Sequence, residues 1–424
     1  MSRSTILYTC NASGMHNVSE AVRYGVAAYD WSNAKALWAN AQPMNAEETL
    51  TKQAELVMAA DPGIAGEQPR VWLYRNKIKG LNWFASVREK LDDPKYAGWF
   101  VKFKSYRGQA SNSSYHVPAC DWFGNATHPP KCSGFYHDQG QTPNHPGANH
   151  SVYPVDGACA AQCNCGPTNP CAEYTFDHRN ASFSEWFVNG YMINDKTLLH
   201  KPPINIGWLD DEISLRGMSE GAPYPSWVTD TGSTAEAMQD HVDAFRRNIA
   251  RLQKATVKHG GFYWQMITGR GPLIRNSLVG RGTRQYSVTA AQCAAVLREH
   301  YCVAEPDAWR SAHLYEVWPT DPNISEQATA EFLLTRGDFA WIGYSWSGCE
   351  SHTEFPRPAE WDVNYGGKPS APCAETGPST GIFSREYPEA TVQWNCHLGR
   401  GHVTMKKAAA AKTDDNSLRV PQYV

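Results

Sequence analysis

The segment at 203–212 constrains this chain more than any other. Pro203, Ile204, Asn205, Ile206, Gly207, Trp208 and Leu209 form a short, mostly apolar run that ends in three adjacent acids, Asp210, Asp211 and Glu212. Such a run reads as a buried strand of a parallel sheet, which is apolar on both faces because helices cover both. In barrels and open α/β sheets the chemistry sits at the C-terminal strand ends. Three acids at one strand end repel one another unless they bind a cation or move protons. A loop of solvated acids is the plain alternative, since acid-rich loops are common.

The same kind of run recurs at 26–31, 71–76, 134–139, 262–266, 312–318 and 339–344. Helical periodicities fall between the runs. Leu50, Ala54, Val57 and Met58 share one face behind Asn45 and Glu48, which are spaced as in a capping box. Leu81, Phe84, Val87 and Leu91 share another, stopped by Asp93 and Pro94. Phe183, Trp186, Phe187 and Tyr191 follow at helical spacing. Met238, Val242, Phe245, Ile249 and Leu252 mark a long helix with Ser233 and Glu236 as its cap. Seven or so βα units in this order predict an α/β fold, a (β/α)8 TIM-like barrel. A doubly wound open sheet is the alternative, but no glycine-rich phosphate loop follows the run at 26–31. The barrel domain is placed at 1–345, with a long Cys-rich loop insertion at about 104–172. A small C-terminal β-structure is placed at 346–405, where 381–387 and 390–395 predict a hairpin, and 406–424 is a low-complexity tail.

A formal charge of −3 leaves no electrostatic footprint for nucleic acid or an anionic membrane. No apolar run reaches the ~18 residues that a membrane span needs. Twelve cysteines accompany sequons at Asn11, Asn17, Asn112, Asn125, Asn149, Asn180 and Asn323, a combination that points to a secreted glycoprotein. The first ten residues hold no apolar signal core, so this reading takes the start as trimmed or misassigned. Cys159, Cys163, Cys165 and Cys171 lack the paired spacing of a zinc site and read as a disulfide-stapled loop. Cys120 with Cys132, and Cys349, Cys373 and Cys396, read as further staples whose pairing the spacing leaves open.

Three stretches resemble TIM-barrel glycoside hydrolases, a set whose members mostly lack assigned substrates. The run through Ile206 to the acids at 210–211 resembles the strand at which such proteins hold a catalytic carboxylate. Phe339, Ala340, Trp341, Ile342, Gly343 and Tyr344 are similar to their late barrel strand. The hairpin segments at 381–387 and 391–395 look like the small β-structure that packs beside the barrel, although the turn before Asn395 departs from the family's pattern. The resemblance implies hydrolysis of glycosidic bonds in a polysaccharide or glycan, with no cofactor.

That chemistry passes through an oxocarbenium-like state and needs a carboxylate and a protonated acid on opposite sides of the bond. Asp210 and Asp211 face opposite ways on an extended chain, so one of them enters a barrel mouth. Asp211 is favoured as the functional carboxylate, with Asp210 orienting it or binding a sugar hydroxyl and Glu212 as a longer-reaching acid. The second acid is one of Asp138, Asp177 and Glu316, each near a predicted strand end, and Glu316 stands two strands beyond the acid-tipped one. His137 beside Asp138 and His178 beside Asp177 also suit a metal site, although neighbours on a strand face opposite ways. Asp30, Trp31, Arg75, Asn76, His137, Trp208, Trp264 and Trp346 are the candidate sugar contacts, the tryptophans through ring stacking. Each has its plain alternative: core packing for the tryptophans, a buried ion pair for Arg75. The basic loop at 269–284 offers an anion site or a solvated surface. A non-catalytic carbohydrate-binding glycoprotein and a metal-dependent hydrolase are the competing functional classes.

Overall fold

The computed structural model describes residues 4–8, 14–31, 33–38, 41, 45–61, 70–81, 83–91, 93–101, 105–106, 109–110, 173–194, 204–210, 213–214, 217–218, 228, 231–259, 261–263, 288–304, 313–317, 325–338, 340–347 and 357–406. The strands in chain order are β1 Ser4–Tyr8, β2 Val26–Tyr29, β3 Val71–Asn76, β4 Lys79–Leu81, β5 Ser105–Tyr106, β6 Gln109–Ala110, β7 Glu173–Thr175 and β8 Ile204–Asp210. They continue with β9 Ile213–Ser214, β10 Gly217–Met218, β11 His313–Val317, β12 Ala340–Ser347, β13 Ala374–Glu375, β14 Ile382–Glu386, β15 Ala390–Asn395 and β16 Arg400–Met405.

Six strands form one parallel sheet in the order β11-β12-β1-β2-β3-β8. The predicted runs at 26–31, 71–76, 203–209, 312–318 and 339–344 all appear in it. The sheet also contains a strand the sequence reading passed over. Ser4–Tyr8 lies between β2 and β12, at the centre of the sheet. Among the described residues no pairing joins β8 to β11, and the chain between them lies largely outside those residues.

One row of Cα partners crosses all six strands, through Val317, Tyr344, Ile6, Ala27, Val71 and Ile204. Val317 is the last residue of β11 and Ile204 the first of β8. The strands are therefore staggered: five steps across the sheet displace the C-terminal end by the length of β8, about one residue per step.

The two faces of the sheet differ. All six residues of β3 are buried, and Arg75 faces the helix Ala46–Ala60, where its guanidinium meets Glu47. Trp72 lies on the opposite face by the period of two and packs edge-on against Trp341 of β12, with ring centroids 5.3 Å apart. β3 and β12 are three steps apart, ~14 Å at ~4.8 Å per step. Both tryptophans are fully buried, and Phe262 packs against Trp341 from the chain between β8 and β11.

Local chemistry explains the helix boundaries. Asn45 does sit at the N-cap of Ala46–Ala60, but its side chain makes no capping hydrogen bond, because its backbone leaves the extended region. Thr234, one residue later than predicted, caps the 24-residue helix Ala235–Lys258 by accepting from Ala237 N. Leu81 belongs to β4 rather than to the following helix, Ala85–Leu91: β4 pairs with β7, a partner far along the chain. Gly80 lies so close beneath Phe176 that a Cβ would come 2.8 Å from its ring. Asp93 caps the 3-10 turn Pro94–Trp99. The stretch 183–191 splits into a helix, Ala181–Trp186, and a π turn, Phe187–Met192.

The predicted C-terminal hairpin is β14 with β15, inside a four-stranded antiparallel sheet ordered β13-β14-β15-β16. Ala390, Val392 and Trp394 are buried and alternate with half-buried residues. The sheet packs on the helix Ser325–Thr335, so tightly that a Cβ at Gly401 would come 3.0 Å from the Cβ of Ala330. Arg385 donates to the carbonyls of Leu334 and Arg336 and Tyr387 to that of Leu333, which satisfies the end of that helix. Two disulfides, Cys293–Cys396 and Cys302–Cys373, join the sheet to the segment at 290–302. Cys373 and Cys396 are thus staples as expected, and their partners are now fixed.

Candidate site at the strand ends

The C-terminal ends of β2, β3 and β8 bring together several residues singled out in the sequence. β8 ends at Asp210, whose Cα partner across the ladder is Asn76, the last residue of β3. Trp208 pairs with Tyr74 on the same ladder. Glu316 lies one residue before the end of β11, opposite Gly343, and Trp346 lies near the end of β12. Asp211, Glu212, Asp138, His137 and Trp264 lie outside the described residues, as do most of the cysteine-rich insertion and the basic loop at 269–284.

Asn76 is held by its own turn. Its Oδ1 accepts from the backbone N–H of Ile78 at 2.9 Å and of Lys79 at 2.7 Å, and its Nδ2 donates to Tyr74 Oη at 2.9 Å. It is a fixed amide at the strand end, 1% exposed. The turn is fastened from behind. His178 Nε2–H donates to Lys77 O at 2.8 Å, and its Nδ1 accepts from Asn248 Nδ2 at 3.1 Å. His178 N–H in turn donates to His241 Nε2 at 3.3 Å. These two bonds on His178 require a neutral ring, and burial pushes its pKa down to about 3 and that of His241 to about 4.

Arg75 takes the plain reading rather than the sugar-binding one. It is fully buried, its Nη2 lies 2.7 Å from Glu47 Oε1, and the Phe84 and Tyr191 rings flank the guanidinium. Glu47 is completed by Ser86, whose N–H and hydroxyl both donate to it at 2.9 Å. The period of two explains the outcome: with Asn76 at the rim, Arg75 turns to the helix layer.

Asp30 follows β2 directly and is 8% exposed. Its carbonyl accepts from the backbone and side-chain N–H groups of Asn33, Trp38 Nε1 donates to Asn33 O, and His16 Nε2 lies 2.8 Å from Asn33 Oδ1. Ala34 sits in the same loop at φ 53°, a left-handed conformation that costs an alanine ~1 kcal/mol or more. Trp31 joins Trp38 and Trp83 in a buried cluster with centroids 4.7 to 6.0 Å apart, so it packs rather than presenting a face.

Asp177 follows β7 and forms a two-pronged pair with Arg179 at 2.8 and 2.7 Å. Burial pushes its pKa up, but the hydrogen bonds from Arg179 and the nearby charges of His241 and Arg179 outweigh that and leave it lowered. An acid held ionised by an arginine makes a poor proton donor. Among the described residues, no three His, Cys, Asp or Glu side chains stand together in a way that suits a metal ion.

The sequence offers Glu47, His241 and Asn248 no place among the candidates, and gives His178 only the role of a neighbour to Asp177. A signal for two of them was present. His241 and Asn248 fall on the apolar stripe of Ala235–Lys258, between Met238 and Leu252, where a polar side chain must find a buried partner. No family model matches the chain, and no curated protein resembles it.

Proposed function

We propose that this chain is a glycoside hydrolase of the TIM-barrel kind, acting on a polysaccharide or glycan with the acids at the end of β8. The observation that carries the reading is the stagger of the parallel sheet combined with its acid-tipped strand. A displacement of about one residue per strand is what an eight-stranded barrel with a shear of eight requires. The strand order supports closure as well. Each strand is followed by its chain neighbour in one direction, and the late β12 pairs with the first strand. The contact of Trp72 with Trp341 across two intervening strands fits a sheet curled around those rings. Closure brings the ends of β8 and β11 towards a common rim, which makes Glu316 the partner acid for Asp211 or Asp210. In this reading Asp30 lines the same rim and hydrogen-bonds a sugar hydroxyl, while Asn76, buried and engaged by its own turn, fixes the end of β3.

The test is turnover on a panel of glycans. Asp211→Asn and Asp210→Asn are expected to fold as the parent does, and at least one loses about 10²–10⁴-fold in kcat. Full activity in both variants contradicts the assignment. Glycan binding without release of reducing sugar by the parent chain replaces it with a binding role.

A further inference from the structure

Two of the sequons lie among the described residues, and the fold treats them in opposite ways. In Asn17-Val18-Ser19 the asparagine is exposed at the start of the short helix Val18–Ala21. Its Oδ1 accepts from Ser19 N at 2.9 Å, which holds the carboxamide in an Asx turn. No described residue engages its Nδ2, and Ser19 is exposed as well. In Asn180-Ala181-Ser182 the asparagine is half-buried and both polar side chains of the sequon are engaged internally. Asn180 Oδ1 accepts from Phe183 N at 3.1 Å and Ser182 Oγ at 2.8 Å, and Nδ2 donates to Gly98 O at 3.2 Å. Ser182 Oγ also accepts from Trp99 Nε1 at 2.8 Å. The amide nitrogen lies close against the Gly98 backbone, 3.5 Å from where a Cβ would stand.

We propose that Asn17 is an N-glycosylation site and that the folded chain carries no glycan at Asn180. The modification forms a bond between Asn17 Nδ2 and C1 of the terminal N-acetylglucosamine of a lipid-pyrophosphate-linked oligosaccharide. The bond from C1 to the pyrophosphate oxygen breaks, the lipid pyrophosphate leaves with the electron pair, and one Nδ2 proton passes to a base of the transferase. At Asn17 the oligosaccharide projects into solvent and removes no internal contact. At Asn180 the attached sugar meets the turn at 98–99 and displaces the amide that ties it to the helix Ala181–Trp186. The two disulfides among the described residues place the chain in the kind of compartment where this transfer occurs. The proposal is independent of the glycosidase reading, because neither sequon belongs to the strand-end site.

The full chain secreted from a eukaryotic host tests it. Peptide-N-glycosidase converts each glycosylated Asn to Asp, and peptide mass mapping reads the conversion site by site. The expected result is conversion at Asn17 and none at Asn180. Ser19→Ala loses the mass of one glycan with the melting temperature unchanged, and Asn17→Gln loses the same mass with only the small drop expected from the lost Asx turn. Asn180→Gln loses no glycan mass and melts lower. Unconverted Asn17 overturns the proposal, whether the other sequons convert or not, and so does a folded population carrying a glycan at Asn180.

Discussion

The parallel sheet and the C-terminal antiparallel sheet solve the same burial problem with opposite patterns. β3 is buried at all six positions, with tryptophan on one face and an ion pair on the other, because material covers both faces. β15 alternates buried and half-buried positions and uses one face only, against the helix Ser325–Thr335. A sheet covered on both faces buries enough apolar surface to hold itself, and its strand ends remain available for chemistry. The one-sided sheet is fastened by other means, namely two disulfides and the arginine that closes a helix end. Under the proposed function, the chemistry belongs to the strand ends of the first region and none of it to the second.

The largest expected effect lies in the first region. Arg75→Ala leaves Glu47 as an uncompensated buried charge and should lower unfolding stability by ~3–5 kcal/mol in denaturant titration. Replacing the pair together, with Arg75→Met and Glu47→Leu, should recover most of the loss. A cost under ~1 kcal/mol for Arg75→Ala would mean that the pair is not sealed in the helix layer.

Removing a staple from the second region comes next. Cys293→Ser with Cys396→Ser should cost ~2–5 kcal/mol while leaving turnover per folded molecule unchanged. Lost turnover at full occupancy of the folded state would break the division between the two regions.

Acid should act on the first region. His178 and His241 are neutral when folded, with pKa values near 3 and 4 against 6.5 in the unfolded chain. Between those limits the unfolded state binds more protons, so stability falls as pH drops below about 6.5. Each histidine contributes at most ~1.4 kcal/mol per pH unit. The lowered carboxylate of Asp177 works in the same direction at lower pH, since its protonation gives up the Arg179 pair. His178→Asn should flatten the slope between pH 4 and 6, and an unchanged slope would remove His178 from that role. The smallest effect is expected at Thr234→Ala, ~1 kcal/mol from the lost cap of Ala235–Lys258.

The parallel strands were legible because a run buried on both faces is apolar throughout and needs no partner to be recognised. The C-terminal hairpin was legible from alternation. Ser4–Tyr8 was passed over because five residues at the start of a chain carry too little pattern, and its central place comes only from pairing with strands far along the sequence. Leu81 was misplaced for the same reason, since β7 is a distant partner. At the site, Asn76 and Asp210 were legible as strand-terminal polar residues, whereas the inward or outward choice between Arg75 and Asn76 depends on where the strand ends. His178 was read only as a neighbour of Asp177, and its bond to the Lys77 carbonyl is a long-range contact that no local spacing encodes.

The most direct measurement is a crystal structure of the Glu316→Gln variant holding an uncleaved oligosaccharide. The account predicts a closed parallel barrel, with the scissile oxygen between residue 316 and the acids at 210–212. The side-chain separation should then fall between about 5 and 9.5 Å. Residue 316 turned away from the sugar, or β8 and β11 lying at opposite edges of an open sheet, would contradict it.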